Sequence, residues 1–314
     1  MNQHPLFAIA ASISLWSTTL ATAQFTGLDD FSGPSRNTAK WGDPFEEGTG
    51  LLSMSGDGVL RYSISGPTGP DDQMAWPWIV GNAPFNENWS IQADVNVPVK
   101  TLPAGNTANG IGVAVLHSAD PDLNFSAMLE NYRTSTTPQE HHFLSSFDFP
   151  GDMGSEVFHL TPATSAAVRI SWDADTHTLT ASFDENGATG GYVWTSFRTV
   201  DPTLPATWDM DETGAFQIAV VGFSEDTPVS LGDNVFADNF YVIGPSLPPI
   251  DIQRTAGQIK LAWSRLALDF NLKSSSTLLG EWSAVTAPVT LSGDEKVVCL
   301  PVEPGPPRFF RLEK

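Results

Sequence analysis

The side chains best suited to chemistry in this 314-residue chain fall in two places. Trp76-Pro77-Trp78 carries two indoles two residues apart, so on an extended segment both rings lie on one side. Glu130-Asn131-Tyr132-Arg133 ends an alternating run that begins at Ser126, and His117 closes the apolar run before it. A sugar ring stacks its C–H faces on aromatic surfaces, while its hydroxyls demand paired donors and acceptors. Indoles, a phenol, a carboxylate, an amide and a guanidinium in these runs therefore predict a carbohydrate-binding surface. If that surface were catalytic, Glu130 would be its acid or base.

Other reactive types read as structural. His141 and His142 are adjacent, and neighbours on a strand point to opposite faces, so they do not share one ion. Asp120-Pro-Asp-Leu-Asn124 opens like a calcium loop, but Phe125 stands where glycine is needed and Asn131 where the bidentate glutamate belongs. Cys299 is the sole cysteine, which excludes an intramolecular disulfide. Its apolar run, Lys296-Val-Val-Cys-Leu300, predicts a buried small hydrophobe rather than a nucleophile.

The elements that position these residues are strands. Turn residues punctuate the chain, with 26 Gly and 24 Pro. Between them lie runs of period two: Trp89, Ile91, Ala93, Val95 and Val97; Val168, Ile170 and Trp172; Leu179, Ala181 and Phe183; Phe216, Ile218 and Val220; then Phe236 and Phe240. These predict half-buried antiparallel strands of an all-β sandwich. No helical period of useful length and no long internal repeat occurs.

Three boundaries follow. Residues 1–23 read as an export signal: Leu6 to Leu20 is largely apolar and uncharged, and Ala21-Thr22-Ala23 is a small-x-small cleavage pattern. The mature chain is thus expected outside the cytoplasm, with no membrane-inserted span. Residues 24–244 form the larger domain. Gly244-Pro-Ser-Leu-Pro-Pro249 is a stiff spacer, which sets 245–249 as a linker before a small immunoglobulin-like domain at 250–314.

Charge separates the two parts. The chain carries 15 Lys and Arg against 36 Asp and Glu, for a net −21. Residues 247–314 are close to neutral, so the excess of acid belongs to the larger domain. Such a surface repels nucleic acid and anionic membranes, and it disfavours polyanionic glycans over neutral ones.

The larger domain resembles the concanavalin A-like lectin and glucanase superfamily. The likeness rests on Leu28-Asp-Asp-Phe-Ser32 followed by Trp41, on the hairpin Val168 to Phe183, and on Gly214 to Val242 with its close Phe236-Ala-Asp-Asn-Phe-Tyr-Val242. It implies a jelly-roll sandwich whose last strand returns beside the N-terminus. It also implies one structural calcium at that junction, with Asp238 as a ligand and Asp29 or Asp30 as partner. Laminarinase-type members carry Glu-x-Asp-x-x-Glu on one strand face, because retaining hydrolysis needs two carboxylates about 5 Å apart. That run is missing here: Asp209-Met-Asp-Glu212 sits among turn residues, and Glu46-Glu47 in a Gly-rich loop. The leading expectation is an exported, non-catalytic carbohydrate-binding or adhesive module. The alternatives are a polysaccharide hydrolase or lyase using Glu130, and a structural surface protein. The tail resembles the immunoglobulin-like or fibronectin III-like modules of exported bacterial proteins, through Leu261-Ala-Trp263, Lys273 to Thr277, Trp282 and Arg308-Phe-Phe-Arg-Leu312.

Overall fold

The computed structural model describes residues 25–69, 72–136, 138–149, 152–189, 191–244, 250–255, 257–264, 270–275, 282–292, 295–302 and 308–313. The expected signal segment 1–23 and linker 245–249 lie outside them. The first half of the larger region comprises β1 Gly27–Asp29, β2 Phe45–Glu47, β3 Gly50–Met54, β4 Leu60–Ile64, β5 Asp72–Pro77, β6 Ala83–Pro84, β7 Trp89–Asn96 and β8 Thr107–His117. The second half comprises β9 Asp120–Arg133, β10 Glu140–Phe149, β11 Asp152–Leu160, β12 Ser165–Asp173, β13 Thr178–Asp184, β14 Thr195–Val200, β15 Ala215–Glu225 and β16 Phe236–Ile243.

These strands make two antiparallel sheets. The first runs β14-β13-β12-β7-β16-β4-β3 with β1 on β16; the second runs β11-β10-β9-β8-β15-β5-β2 with β6 on β15. The chain changes sheet repeatedly, at β1 to β2, β2 to β3, β4 to β5, β6 to β7, β7 to β8, β11 to β12, β14 to β15 and β15 to β16. The first strand lies beside the last strand of the sandwich, as expected: Gly27 pairs with Val242, Leu28 with Tyr241 and Asp29 with Phe240.

The period-two runs supply the core between the sheets. Ile91, Ala93 and Val95, Val168, Ile170 and Trp172, and Leu179, Ala181 and Phe183 face Ile111, Val113 and Val115, Phe125, Ala127 and Leu129, and Phe216, Ile218 and Val220. Each large apolar side chain so buried contributes about 1.5–3 kcal/mol against exposure. Gly222 turns inward beneath the Tyr62 ring, and a Cβ there would stand 2.2 Å from Tyr62 Cδ2. Arg198 ties the sheets at one edge. From β14 it donates through Nη1 to the carbonyls of Ser145 and Ser155 on the opposite sheet, with its guanidinium 5.8 Å from the Phe125 and Phe147 rings.

Two expectations about facing need correction. Phe236 and Phe240 do not share a face. The ladder between β16 and β7 shifts register between Asp238 and Tyr241, where Asn239 adopts φ 47°. Ala237, Phe240 and Val242 are therefore core, and Phe236 is half-exposed. Cys299 is exposed, because Val298 and Leu300 on either side are the residues that face inward.

Beyond residue 249, β17 Asp251–Thr255, β18 Gln258–Ser264, β19 Asn271–Ser275, β20 Ser283–Ala284, β21 Thr290–Ser292, β22 Glu295–Pro301 and β23 Phe309–Glu313 form two further sheets. Their orders are β17-β18-β22-β21 and β20-β19-β23. Both sheets contribute to one separate core of Leu261, Trp263, Leu272, Val298, Leu300 and Leu312. Among the described residues, no helix is long and apolar enough to cross a membrane.

Candidate functional site

The outward face of the second sheet holds the chemistry. On β9 the odd positions Phe125, Ala127 and Leu129 point into the core, so Met128, Glu130 and Tyr132 point out. On β10 the same rule turns Phe143 inward and His142 and Leu144 outward. The β9–β10 ladder sets Glu130 directly opposite His142. On the other side of Glu130 lies Gly110 of β8, where a Cβ would come 2.8 Å from that of Glu130. Glycine there leaves room for the glutamate side chain.

Glu130 Oε1 and His142 Nε2 are 2.6 Å apart, and the two side chains are 2% and 1% exposed. Aromatic rings cover them despite their outward direction. His142 lies 4.6 Å from Phe158 and 5.4 Å from Tyr132, and those two rings are 5.6 Å apart and within 26° of parallel. Burial raises the Glu130 carboxyl above the usual range, aided by the negative charges of Glu156 and Glu225 and opposed by the hydrogen bond with His142. Burial also raises the Tyr132 phenol, reinforced by Glu156, Glu225, Glu130 and Glu140. Glu130 Oε2 and His142 Nδ1 have no hydrogen-bond partner in the structure. Beside the pair, Ala114, Met128, Leu144 and Val221 form a small apolar floor, with Ala75 and Phe223 against it. Phe158, at 43% exposed, stands over this face from edge strand β11.

The predicted site residues divide. Glu130 and Tyr132 share this face. Asn131 and Arg133, at the alternate positions, turn the other way: Asn131 Nδ2 donates to Pro98 O at 2.9 Å, and Arg133 Nη1 to Leu102 O at 2.8 Å. His117 ends β8 seven residues beyond Gly110, roughly 23 Å along the strand at 3.3 Å per residue. Its Nδ1 accepts from Ala119 N at 3.3 Å, and its ring meets Trp208 edge-on.

Trp76 and Trp78 are not a surface platform. Both indoles do lie on one side, but that side is the core. Trp78 packs against Trp41 at 5.1 Å and donates from Nε1 to Phe25 O at 2.9 Å. Trp76 also contacts Trp41, at 6.2 Å. Two residues of the same parity on a strand share a face, and the hydrophobic effect chose the inner one.

The three carboxylates expected at the strand junction are held apart. Asp29 lies on the core side, where its Oδ1 accepts from Phe31 N and its Oδ2 from Trp41 Nε1 at 2.8 Å, with Lys40 Nζ at 3.6 Å. Asp238 lies on the outer face of the first sheet, where Asn239 Nδ2 donates to both Asp238 and Asp94. Asp30 is exposed and accepts from Ser32 N. The register shift after Asp238 separates it from the side on which Asp29 sits. Among the described residues, no group of three or more His, Cys, Asp or Glu is arranged to hold a metal ion.

Sequence reasoning passed over His142 as a member of the site and missed Phe158. The signal for His142 was available: a hairpin between β9 and β10 centred near residue 136 sets residue 130 opposite 142. Phe158 follows from the next hairpin, which places it opposite Leu144.

No protein-family model and no curated protein matches the chain. Among solved structures it is similar to lectin II from Ulex europaeus, at 12% identity over 70% of this chain and 98% of that one, with a TM-score of 0.44. It is similar to winged bean acidic lectin complexed with methyl-α-D-galactose, at 13% identity over 70% and 96%, TM-score 0.43. It is also similar to a glycoside hydrolase family protein from Mycobacterium thermorestibile, at 13% identity over 69% and 97%, TM-score 0.40. Likeness of this depth does not carry function from one chain to another.

Proposed function

We propose that this is an exported carbohydrate-binding protein that holds neutral glycan on the outward face of its second sheet, without cleaving it. One observation carries the reading: the nearly parallel Tyr132 and Phe158 rings stand outward over a sealed Glu130–His142 pair. In this reading the rings present the stacking surface, and the pair beneath fixes His142, against which both rings rest. Glu140, Glu156 and Glu225 are the acceptors around Tyr132 for sugar hydroxyls. The acidic larger domain disfavours an anionic polymer.

A second reading has its own support. A carboxyl raised by burial is the property a general acid needs, and Glu130 has it. Against it, Glu130 is covered and already engaged by His142. A glycan array on residues 24–314, run beside reducing-sugar release, separates the two. Binding without release, weakened in Tyr132→Ala, supports the binding module. Release that disappears in Glu130→Gln establishes the enzyme instead.

A further inference from the structure

The outer face of the first sheet gathers carboxylates under a short cover. Asp94 of β7 points outward, because Ile91, Ala93 and Val95 take the core side. Asp184 of β13 is outward by the same alternation, since Ala181 and Phe183 are core. Asp238 of β16 stands directly opposite Asp94 in the ladder.

The run Tyr192-Val193-Trp194, which leads into β14, closes over this group. Tyr192 Oη donates to Asp94 Oδ1 at 3.2 Å, and Val193 N donates to Asp184 Oδ2 at 2.7 Å. The Tyr192 and Trp194 rings stack at 5.2 Å and 13°, and the Arg169 guanidinium of β12 lies 5.4 Å from the Trp194 ring. Two ties of the run therefore end on carboxylates. Gly191, immediately before it, has φ 89° with open space around it, which suits a hinge. Beneath the run, Gln92 is 1% exposed and faces the Tyr192 hydroxyl without a well-formed hydrogen bond.

Closure takes water away from Asp94. Burial raises its carboxyl from 3.8 to about 6, outweighing the bonds from Asn239 and Tyr192, and Asp238 and Asp184 push the same way. Burial also raises the Tyr192 phenol, with Asp94 and Tyr241 of β16 beside it, so Tyr192 remains the donor throughout. Arg169, the cation on this face, is engaged over Trp194.

We propose that Tyr192-Val193-Trp194 is a latch, closed while Asp94 holds a proton and released at its Tyr192 end once Asp94 has lost it beside Asp184 and Asp238. Release returns water to the Asp94 carboxylate and to the Gln92 amide, both costly to bury without full partners. The sign follows from linkage. A carboxyl raised in the closed form favours closure in acid, and that favour is lost as pH rises through about 6. With an open-form carboxyl at 3.8, the closed-to-open ratio falls on the order of 100-fold across this window. The latch does not rest on the glycan reading of the second sheet.

The test is fluorine NMR of the full chain labelled with fluorotryptophan, the Trp194 resonance being assigned by its disappearance in Trp194→Phe. From acid to neutral pH that resonance is expected to move from a stacked to a solvent-like position, with its midpoint between 3.8 and about 6. Melting curves at each pH check that the sandwich stays folded. Asp94→Asn removes the titrating group at nearly constant shape, and should hold the resonance at one position. Tyr192→Phe keeps the ring but loses the tie, and should bring the resonance nearer the released position in acid. A Trp194 resonance that does not move, or moves equally in Asp94→Asn, overturns the latch. So does a Tyr192→Phe chain that behaves as wild type, or movement that coincides with global unfolding.

Discussion

Glu130 Oε1 lies 2.6 Å from His142 Nε2, yet the far atom of each group, Oε2 and Nδ1, meets no hydrogen-bond partner. Two ionisable groups are thus satisfied by one another on one side only, under a cover of Tyr132 and Phe158. Removing either partner exposes what the other costs. His142→Ala strands a buried carboxylate, and breaking a buried pair in this way costs about 3–5 kcal/mol. The loss should depend on pH. Burial raises the Glu130 carboxyl, so the folded variant holds its proton at pH values where the unfolded chain has released it. That contribution is present in acid and is lost as pH rises through the raised folded value. Melting curves across pH should show the gap between His142→Ala and wild type widening toward neutrality; a pH-independent gap would contradict the pairing.

Asp94 supplies a second pH effect on the opposite sheet. Burial raises its carboxyl from 3.8 to about 6, against hydrogen bonds from Asn239 and Tyr192, with Asp238 and Asp184 adding repulsion. A raised carboxylate stabilises the fold below pH 3.8, and that contribution disappears as pH rises through about 6. Asp94→Asn should flatten this part of the stability profile. Chemical denaturation at a series of pH values measures it, and an unchanged slope would show that Asp94 is not its source.

Trp78→Ala is expected to act on folding rather than on binding. The ring is 2% exposed, contacts Trp41 and Phe240, and uses its Nε1. Its removal should cost about 3–5 kcal/mol. Whatever protein remains folded should bind as wild type does. A variant that melts normally but no longer binds would return Trp78 to the surface.

Among the described residues, the core of the larger sandwich includes none beyond Val242, and the C-terminal strands have a core of their own. Truncation after Gly244 should therefore leave the melting temperature of the sandwich close to its value in the full chain. A large drop would mean that residues 250–314 contribute to its stability.

The sheets were legible because burial on one face imposes a period of two, and Ile91 to Val95, Val168 to Trp172 and Phe216 to Val220 fell inward as read. What the period does not reveal is which face is inner. The Trp76 and Trp78 indoles were correctly placed together and assigned to the wrong side. A period also does not survive a bulge, and Asn239 turned Phe236 out of the core. Glu130 and Tyr132 were found by residue type alone, and their partner His142 needed the hairpin register as well. The Asn131 side chain bonds to Asn109 and to Pro98, joining two strands and a distant connection, so no local pattern contains that arrangement.

The outward face makes the most specific prediction about binding. Tyr132 and Phe158 offer stacking surface, and stacking on an aromatic ring is worth on the order of 1 kcal/mol, which is about fivefold in affinity. Tyr132→Ala and Phe158→Ala should each weaken binding of a neutral polysaccharide by about that factor. Phe158 is exposed on an edge strand but also covers His142, so the melting of Phe158→Ala is measured beside its binding. Stacking and hydrogen bonding are little screened by salt, whereas the acidic larger domain repels an anionic polymer most strongly when salt is low. Affinity for the neutral glycan should thus change little between low and physiological ionic strength, and a uronic or sulfated glycan should bind more weakly as salt is removed. Isothermal titration of wild type and both variants at two salt concentrations measures each term. Tight binding of a sulfated glycan that strengthens as salt falls, indifferent to Tyr132 and Phe158, would mean that some other surface meets the ligand and that its chemistry is ionic.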